Sequence, residues 1–462
     1  MWSMSRDFFT HHGYGIKPGL VSASNIYLPV AAIWPRSVSP GSLVREFTLQ
    51  QKSCHNLRLT RYWVQITSSS SKQRRLYASD VSETVDVADI AKVFAEIEKR
   101  GEYEVPDLKV SDFPDLTSAL HPSAEVLTKH VKDWLLKHDL QTYFGNNEGF
   151  EKYLSHEVHH IALRIFHDAP AGRTAWACYW CNVFFIADDL IDESPDGQNP
   201  EVTIPKFLEL FLIMLWSFPK ELQSVYELLD YLDRVPDRRR RTKEILDKTV
   251  SGAMLLQGTE YPYRLSPLGS AFRECWMMAA RERSVEYMQQ FGTVLQSWLL
   301  SAIKEGMNRR IDKFPTFEDF MAWRSFSVGT RGWASMAGHM YDAPLPNKVF
   351  SSSNVQQMLV QTSAAVGLIN DIYSVHKDLK SGELNAVIVL AYHLSCSLVE
   401  ASHEVVKELW KRHEKMRALK ARIEKETPPE HLPGVRELVK VCFFEFGGSI
   451  EFYKNCQRYT QK

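Results

Sequence analysis

The sequence has no apolar run long enough to cross a bilayer as a helix. The apolar stretches at residues 26–34 and 176–186 fall well short of the roughly 20 residues that a membrane-spanning helix needs. Residues 26–34 are also interrupted by Pro29 and followed by Pro35. We therefore expect no stable insertion into a membrane.

Cysteine is sparse and charge is balanced. Seven cysteines, an odd number, are spread over 462 residues, which argues against a disulfide framework and favours a reducing compartment. The formal net charge is −1, so no overall excess of positive charge indicates a nucleic-acid or anionic-membrane partner. We expect the protein to bind no nucleic acid.

Acidic residues are nearly missing from the first 79 residues. This stretch holds ten Lys or Arg but only Asp7 and Glu46, a net charge of +8, and residues 68–71 are all serine. A basic, Ser-rich and acid-poor N-terminus is typical of an organellar transit peptide. We expect residues 1–79 to be a poorly ordered extension that directs the protein to a plastid or another organelle. If they are only a disordered tail or are not translated in the cell, a cytoplasmic location is expected.

Period-two strand patterns and internal repeats are also lacking, so the sequence predicts an all-α fold. Residues 80–105 are charged and weakly periodic, which indicates a helical linker. Residues 106–462 are predicted to form one large helical domain. One helix should follow Ser123, with Leu127, Val131 and Trp134 on one face. Further helices are predicted at 244–258, 271–303, 317–340, 354–377, 384–426 and 433–459.

A cluster of carboxylates ends the apolar stretch 176–186, which reads as a buried helix. Asp188 and Asp192 are four residues apart and would lie on one helical face, with Asp189 between them. Two like charges at the rim of an apolar helix are costly unless a cation neutralises them. Carboxylate oxygens suit Mg²⁺. The alternative interpretation is a solvated acidic helix end.

A second set of oxygen-bearing side chains closes the helix predicted at 354–377. Asn370, Ser374 and Asp378 follow one another at intervals of four, so they share a helical face. Together they could hold one Mg²⁺ and leave positions for water or phosphate. The alternative is a polar face that only contacts solvent. The two sets together predict a two-sided site for a diphosphate.

These motifs resemble those of the class I terpene synthases of the microbial type, which have a single helical catalytic domain. The aspartate-rich motif of that family matches Asp188 to Asp192, and its Asn-Ser-Glu motif matches Asn370, Ser374 and Asp378. The resemblance covers about residues 106–462. It implies a helical bundle that ionises a linear prenyl diphosphate and cyclises the carbocation. Farnesyl diphosphate is the preferred substrate, with geranyl and geranylgeranyl diphosphate as alternatives.

The resemblance also implies three Mg²⁺ ions, two at the first motif and one at the second, with Mn²⁺ as a substitute. We expect the protein to be a monomer or a homodimer. Four residues fall where the family contacts diphosphate, including an arginine 46 positions before Asn370: Arg324, Lys377, Arg458 and Tyr459. Three aromatic residues match pocket positions, although core packing is an equally good interpretation: Phe184, Phe185 and Phe452.

Two features depart from the family pattern. Asp378 stands where Glu is commoner, which shortens that side chain by one methylene. Ser327 and Val328 occupy the place of the family's helix break, which couples substrate sensing to ionisation. Gly329 follows at once, so we still expect a break there.

Other functions were weighed against this one. A chain-elongating prenyl diphosphate synthase should carry two aspartate-rich motifs, and this sequence has one. The segment from His156 to His160 fits the H-E-x-x-H pattern of zinc peptidases, which would place His156 and His160 on one helical face. An inactive helical scaffold is the remaining alternative. Cys178 and Cys181 are expected to be buried thiols. The four arginines at residues 238–241 are expected to be a solvated face or a loop and not a nucleic-acid patch.

Overall fold

The computed structural model describes residues 87–192, 207, 209–211, 213–214, 265–308 and 314–460. The chain divides into two units, Met1–Tyr77 and Ala78–Lys462, and every described residue belongs to the second. The predictions for residues 1–79, for the helix at 244–258 and for residues 238–241 lie outside the described residues.

The described residues form α-helices joined by short loops and 3-10 turns, and they contain no strand, so the prediction of an all-α fold is confirmed. The α-helices are α1 (Val87–Glu98), α2 (Ala124–Lys137), α3 (Asn147–Ser155), α4 (His160–Ile165), α5 (Ala171–Asp192), α6 (Pro267–Glu282), α7 (Val285–Asn308), α8 (Phe317–Ser327), α9 (Arg331–Met340), α10 (Asn347–Phe350), α11 (Ser353–Ser381), α12 (Ala386–Leu394), α13 (Leu398–Glu426), α14 (Leu432–Asn455) and α15 (Gln457–Thr460).

Helix α11 runs through the centre of the bundle and packs against α8, α13 and α14. Its middle is built from small and apolar residues that are buried on every side. A Cβ at Gly367 would lie 3.5 Å from Cγ of Arg324, which is an ordinary van der Waals distance. The arginine of α8 is therefore held directly against the central helix.

Helix α5 is the second buried helix, and it packs against α2, α4, α6 and α7. Trp176 and Trp180 are fully buried, and the indole of Trp176 donates a hydrogen bond of 2.8 Å to the carbonyl of Cys275 in α6. Burial of these large rings supplies much of the free energy that fixes the helix. The apolar run read from the sequence is thus a core helix, as predicted.

Four predicted helices are each divided in the structure. The segments 317–340 and 433–459 divide at residues 328–330 and at Cys456. The segment 271–303 changes from α6 to α7 at Arg283 and Ser284, and the segment 384–426 changes from α12 to α13 at residues 395–397. Ser397 caps α13, since its hydroxyl accepts from the amide of Glu400 and the Glu400 carboxylate accepts from the amide of Ser397. This capping box begins a new helix, and the periodicity on either side did not reveal it.

Within the predicted linker, residues 80–105, the part that the structure describes begins at Val87, and there α1 and the loop after it pack onto the core. Val93, Phe94 and Ile97 are buried. The hydroxyl of Tyr103 donates a 2.7 Å hydrogen bond to the carbonyl of Ile372 in α11. The apolar face of this helix was too short to separate from its charged surroundings in the sequence.

The helix break expected after Arg324 is present. Helix α8 ends at Ser327, Gly329 has a φ of +77°, and α9 begins at Arg331. A left-handed φ is favourable for glycine and strained for other residues. A Cβ at Gly329 would also lie only 2.8 Å from Nε1 of Trp298.

Among the described helices, none is by itself long and apolar enough to cross a bilayer. Helices α12 and α13 have the length and hydropathy of a membrane span only when both are counted as one segment, and a bend of 115° separates them.

Candidate active site

The C-terminal helix α15 brings the two predicted motifs together. The side-chain amide of Asn370, on α11, donates a 3.4 Å hydrogen bond to the hydroxyl of Tyr459. The guanidinium of Arg458 donates two hydrogen bonds to the carboxylate of Asp189, on α5. Residues 189, 370 and 458 are therefore neighbours although they lie far apart in the sequence.

Asp188 lies half-buried near the C-terminal end of α5, where its charge acts on Tyr459 and Tyr453. Burial raises the pKa of Tyr459 above its usual value, and the negative charges of Asp188 and Asp189 raise it further. Asp188 also raises the pKa of Tyr453, for which burial is again the largest cause. Asp192 is the last residue of α5, and its side chain is outside what the structure describes.

Arg324 joins the second motif from α8. One of its terminal nitrogens lies 2.7 Å from Oδ1 of Asn370 and 2.7 Å from Oδ1 of Asp371. Asp371 is fully buried and also accepts a 2.9 Å hydrogen bond from the amide of Ala386. Burial raises the pKa of Asp371, while the positive charge of Arg324 opposes that shift. Asp371 thus holds the arginine beside Asn370.

Ser374 and Asp378 are buried one turn apart, with 2.6 Å between the serine Oγ and the carboxylate Oδ2. Asn385, at the start of α12, donates to that same Oδ2 at 2.7 Å and to the carbonyl of Asp371 at 2.8 Å. Burial, with the nearby charge of Glu383, raises the pKa of Asp378 to about 7. The carboxyl group is therefore poorly stabilised as an anion by its protein neighbours.

The donor set of the second motif fits a hard divalent cation. Asn370, Ser374 and Asp378 offer amide, hydroxyl and carboxylate oxygens, the ligands that Mg²⁺ and Mn²⁺ prefer. A cation at these oxygens would stabilise the Asp378 carboxylate that burial destabilises. In the part of the chain that the structure describes, no three His, Cys, Asp or Glu side chains form a metal cage. An ion bound here would keep positions for water or phosphate. Lys377 is half-buried on the same helix.

Two of the predicted pocket aromatics, Phe185 and Phe452, lie beside Arg458 and Tyr459. The rings of Phe185 and Phe452 are 6.2 Å apart, and those of Phe452 and Tyr459 are 6.3 Å apart. The guanidinium of Arg458 lies 5.7 Å from the centre of the Phe185 ring. These aromatic faces are therefore adjacent to the groups predicted to bind diphosphate.

Phe184 belongs to a different aromatic group, which lies against the helix break. Its ring is 4.7 Å from that of Trp298 and 5.4 Å from that of Trp333. A Cβ at Gly332 would lie 3.6 Å from Phe184. Phe184 is buried, so it packs between α5 and the break.

The predicted shared face of His156 and His160 is wrong. Helix α3 ends before His156, Glu157 has a φ of +47°, and a new helix begins at His160. The H-E-x-x-H pattern needs an unbroken helix to aim both imidazoles at one zinc ion. His159 is buried instead, and its Nε2 lies 2.9 Å from the hydroxyl of Thr128.

The prediction that Cys178 and Cys181 are buried thiols is confirmed. Both are fully buried and free, and the Cys181 thiol donates to the carbonyl of Val158 at 3.1 Å. Burial raises the pKa of both thiols. They are therefore uncharged and suit packing better than metal binding.

Several residues of this region were not predicted from the sequence. Asp371 was signalled only by its place directly after Asn370. Asp189 was predicted as part of the first motif, but its pairing with Arg458 was not. Asn385 carried only the signal of a helix cap, since its side chain accepts from the amide of Val387. The contacts of Trp298 and Trp333 with Phe184 had no signal, because they depend on how three helices pack.

Comparison with known proteins identifies the family. Residues 228–415 match the profile described as "Terpene synthase family 2, C-terminal metal binding". The chain is a class I terpene synthase of the microbial type. Enzymes of this family act on prenyl diphosphates, and the matched domain implies that this terpene synthase uses a divalent metal.

Several named enzymes resemble this terpene synthase. Alpha-gurjunene synthase of Marchantia polymorpha is 23% identical over 313 residues, which cover 62% of this chain and 70% of that protein. Pristinol synthase of Streptomyces pristinaespiralis is 24% identical over 289 residues, covering 62% and 66%. The "(2E,6E)-farnesyl diphosphate cyclizing" 7-epi-alpha-eudesmol synthase of Streptomyces viridochromogenes is 21% identical over 265 residues, covering 56% and 64%.

The fold is shared with solved structures. The linalool/nerolidol synthase of Streptomyces clavuligerus in complex with 2-fluorogeranyl diphosphate superposes with a TM-score of 0.55 at 17% identity. That alignment covers 78% of this chain and 100% of the solved one.

Proposed function

We propose that this terpene synthase ionises farnesyl diphosphate and cyclises the carbocation, releasing diphosphate. The observation that carries the proposal is the meeting of three elements at one place. Asp189 of α5 pairs with Arg458, and Asn370 of α11 contacts both Tyr459 and Arg324. Acidic, amide and basic groups thus surround one position, as binding of a metal-complexed diphosphate requires.

We propose that the metal is magnesium, with manganese as a substitute, and that three ions bind. Asp188 and Asp192 would hold two of them, and Asn370, Ser374 and Asp378 would hold the third. Bound cations supply Lewis acidity that neutralises the diphosphate leaving group.

The basic residues bind and orient the diphosphate. Arg324 and Arg458 are pre-positioned by Asp371 and Asp189, so little side-chain entropy is lost when they donate to phosphate oxygens. Lys377 and the Tyr459 hydroxyl add further donors. Charge-assisted hydrogen bonds of this kind strengthen as negative charge develops on the leaving group.

The aromatic residues contact the hydrocarbon chain. Phe185 and Phe452 lie next to Arg458 and Tyr459, so they face the carbon nearest to the departing diphosphate. Their ring faces stabilise positive charge, and their bulk keeps water away from the carbocation. Phe184, the third predicted pocket aromatic, packs against Trp298 and Trp333 beside the helix break.

Farnesyl diphosphate is proposed because the name of one relative, the 7-epi-alpha-eudesmol synthase, specifies it as the diphosphate that is cyclised. The shorter geranyl diphosphate is the alternative supported by the solved relative bound to a fluorinated geranyl analogue. Geranylgeranyl diphosphate is the third candidate, which a plastid location would favour.

The test is incubation of the purified full chain with each of the three diphosphates, with and without Mg²⁺, and identification of the products. Cyclic fifteen-carbon products that need Mg²⁺ support the proposal. Longer linear diphosphates would instead identify a chain-elongating synthase, and release of no product from any substrate would refute catalysis. Light scattering of the same preparation tests the expected monomer or homodimer.

We propose a plastid or another organelle as the location of the protein, on the basic, acid-poor composition of residues 1–79. Fusion of these residues to a fluorescent protein should direct it to an organelle in plant cells. Diffuse fluorescence in the cytoplasm would contradict the proposal.

A further inference from the structure

The buried tyrosine that follows α1 reaches the helix that carries the second motif. The hydroxyl of Tyr103 donates a 2.7 Å hydrogen bond to the carbonyl of Ile372, which lies between Asn370 and Ser374 in α11. The ring of Tyr103 also meets the ring of His376 edge-on, with 5.5 Å between the ring centres. His376 is two residues from Ser374, about 200° around the helix, so Tyr103 covers the face of α11 opposite to the predicted ligands.

This hydrogen bond is additional to those of the helix itself. Helix α11 continues unbroken to Ser381, so the carbonyl of Ile372 already faces the amide four residues later. A carbonyl oxygen has two lone pairs and can accept a second donor. Since a buried tyrosine hydroxyl is costly without a partner, the contact stabilises one placement of this helical turn relative to Tyr103.

The neighbouring carbonyl is held in the same way by another element. Asn385, at the start of α12, donates to the carbonyl of Asp371 at 2.8 Å. Successive carbonyls of an α-helix point about 100° apart around its axis. Two donors on consecutive carbonyls therefore resist rotation of this turn about the helix axis. That rotation is the motion that would turn Ser374 and Asp378 away from a shared cation.

The segment that supplies Tyr103 also holds the helix that Asn385 begins. The guanidinium of Arg100 donates to the carbonyl of Ala391 at 2.7 Å and to that of Cys396 at 3.4 Å. The first carbonyl lies in the last turn of α12 and the second just after it, where backbone acceptors lack intrahelical donors and a cation is favourable. The N-terminal segment is therefore connected to both elements that orient the second motif.

A positioning role needs a rigid support, and α1 supplies it. Val93, Phe94 and Ile97 are buried in the core. The ring of Phe94 lies 6.3 Å from that of Phe314, which in turn lies 4.5 Å from the ring of Tyr392 in α12. The helix before Tyr103 is thus packed onto the same part of the bundle that its hydroxyl contacts.

We propose that Tyr103 is a positioning residue for the second metal-binding motif. Through the carbonyl of Ile372, its hydroxyl sets the rotation of α11 at which the three predicted ligands of that motif share one divalent cation. Metal ligands must be held within about 0.5 Å of their productive positions, so a small rotation weakens the site. Tyr103 acts through the backbone of α11 and not by contact with the metal. This role rests on the proposed function, because it concerns the proposed metal site.

The test is Tyr103→Phe, which removes only the hydroxyl. Calorimetry on the full chain measures the Mg²⁺ concentration that half-saturates binding of inorganic pyrophosphate. We expect this concentration to rise about 3–10-fold, less than the roughly 10–100-fold typical of a residue that bonds directly to a metal ligand. Turnover at saturating Mg²⁺ should return to the wild-type rate, because the site is weakened and not lost.

The matched control is Tyr287→Phe. The hydroxyl of Tyr287 is also buried and donates to a helix carbonyl, that of Ser335 in α9, at 3.2 Å. Helix α9 carries none of the predicted ligands. This variant loses a comparable hydrogen bond, and its Mg²⁺ dependence should stay within about twofold of wild type.

Three results would overturn the proposal. The first is an unshifted Mg²⁺ dependence of Tyr103→Phe while pyrophosphate still binds, even if thermal stability falls, since the tyrosine would then only pack. The second is an equal shift in Tyr287→Phe. The third is wild-type protein that binds no pyrophosphate with Mg²⁺, which overturns the proposed function as well, whereas the first two leave that function standing.

Discussion

The carboxylate of Asp189 accepts both hydrogen bonds of the Arg458 guanidinium, which joins the end of α5 to α15. The pair is largely enclosed, with side-chain exposures of 18% for Asp189 and 8% for Arg458. A bidentate pair of this kind fixes the orientation of both partners. Asp189, the middle aspartate of the first motif, therefore positions Arg458 and, next to it in α15, Tyr459. Asp188, the preceding residue, remains the predicted metal ligand.

We predict that Asp189 and Arg458 are energetically coupled. Asp189→Asn and Arg458→Gln should each lower kcat/KM. The free-energy loss of the double variant should be smaller than the sum of the losses of the two single variants. The coupling free energy should be about 1–3 kcal/mol, as for contacting residues of one network. A double-mutant cycle on kcat/KM measures it, and additive effects would contradict the pairing.

Loss of either predicted ligand face should abolish most turnover. Asp188→Ala and Asn370→Ala should each lower kcat by roughly 10²–10³, the loss seen when one group that stabilises developing charge is removed. Asp107→Ala is the control, because Asp107 lies on the surface and pairs with Lys454 and Lys109. Steady-state kinetics at saturating Mg²⁺ provide the measurement. Wild-type rates in both ligand variants would remove the proposed site.

Asn385 should matter for metal binding although it is not a predicted ligand. It donates to Asp378, Ser374 and the carbonyl of Asp371. We expect Asn385→Ala to raise the Mg²⁺ concentration needed for half-maximal activity by about 10–100-fold, as for other residues that orient metal ligands.

The control for Asn385→Ala is Asn354→Ala, because Asn354 is half-buried at the start of α11 and its side chain donates to Glu426, away from the predicted metal ligands. Equal Mg²⁺ dependence of the two variants would show that Asn385 only packs.

The break after α8 should tolerate no side chain at residue 329. Gly329→Ala imposes a left-handed φ on alanine and places its Cβ against Trp298, so we expect a loss of about 1–3 kcal/mol in unfolding free energy. Gly172→Ala is the matched control, since a Cβ in that first turn of α5 meets nothing within 4 Å. That variant should be neutral or more stable by about 0.4–1 kcal/mol. Chemical denaturation compares both, and equal stabilities would contradict the strain.

Two truncations test where the folded unit begins. Removal of residues 1–79 should preserve the thermal unfolding midpoint and the activity. Removal of residues 1–105 also deletes α1, with Val93, Phe94 and Ile97 buried in the core, each worth about 1.5–3 kcal/mol. The second truncation should therefore unfold at a clearly lower temperature, and equal midpoints would show that α1 is dispensable.

Much of the site could be predicted because helical geometry is local. Asn370, Ser374 and Asp378 recur every four residues, so they share a face of α11 in any fold that keeps this helix. Gly329 marked the break for the same reason, since its left-handed backbone is a property of one residue. The H-E-x-x-H segment shows the limit of such patterns, because a left-handed turn at Glu157 separates two histidines that the spacing alone would pair.

The sequence by itself determined the all-α class, the two oxygen-bearing faces and the buried character of α5, since each follows from residue types at helical spacing. Only the tertiary structure decided that Arg324 contacts Asp371, that Arg458 pairs with Asp189, and that Asn385 donates to Asp378. These partners come from different helices, and which side chains meet depends on how buried surfaces of the whole bundle fit together. That fit is a collective property of packing, which no local pattern encodes.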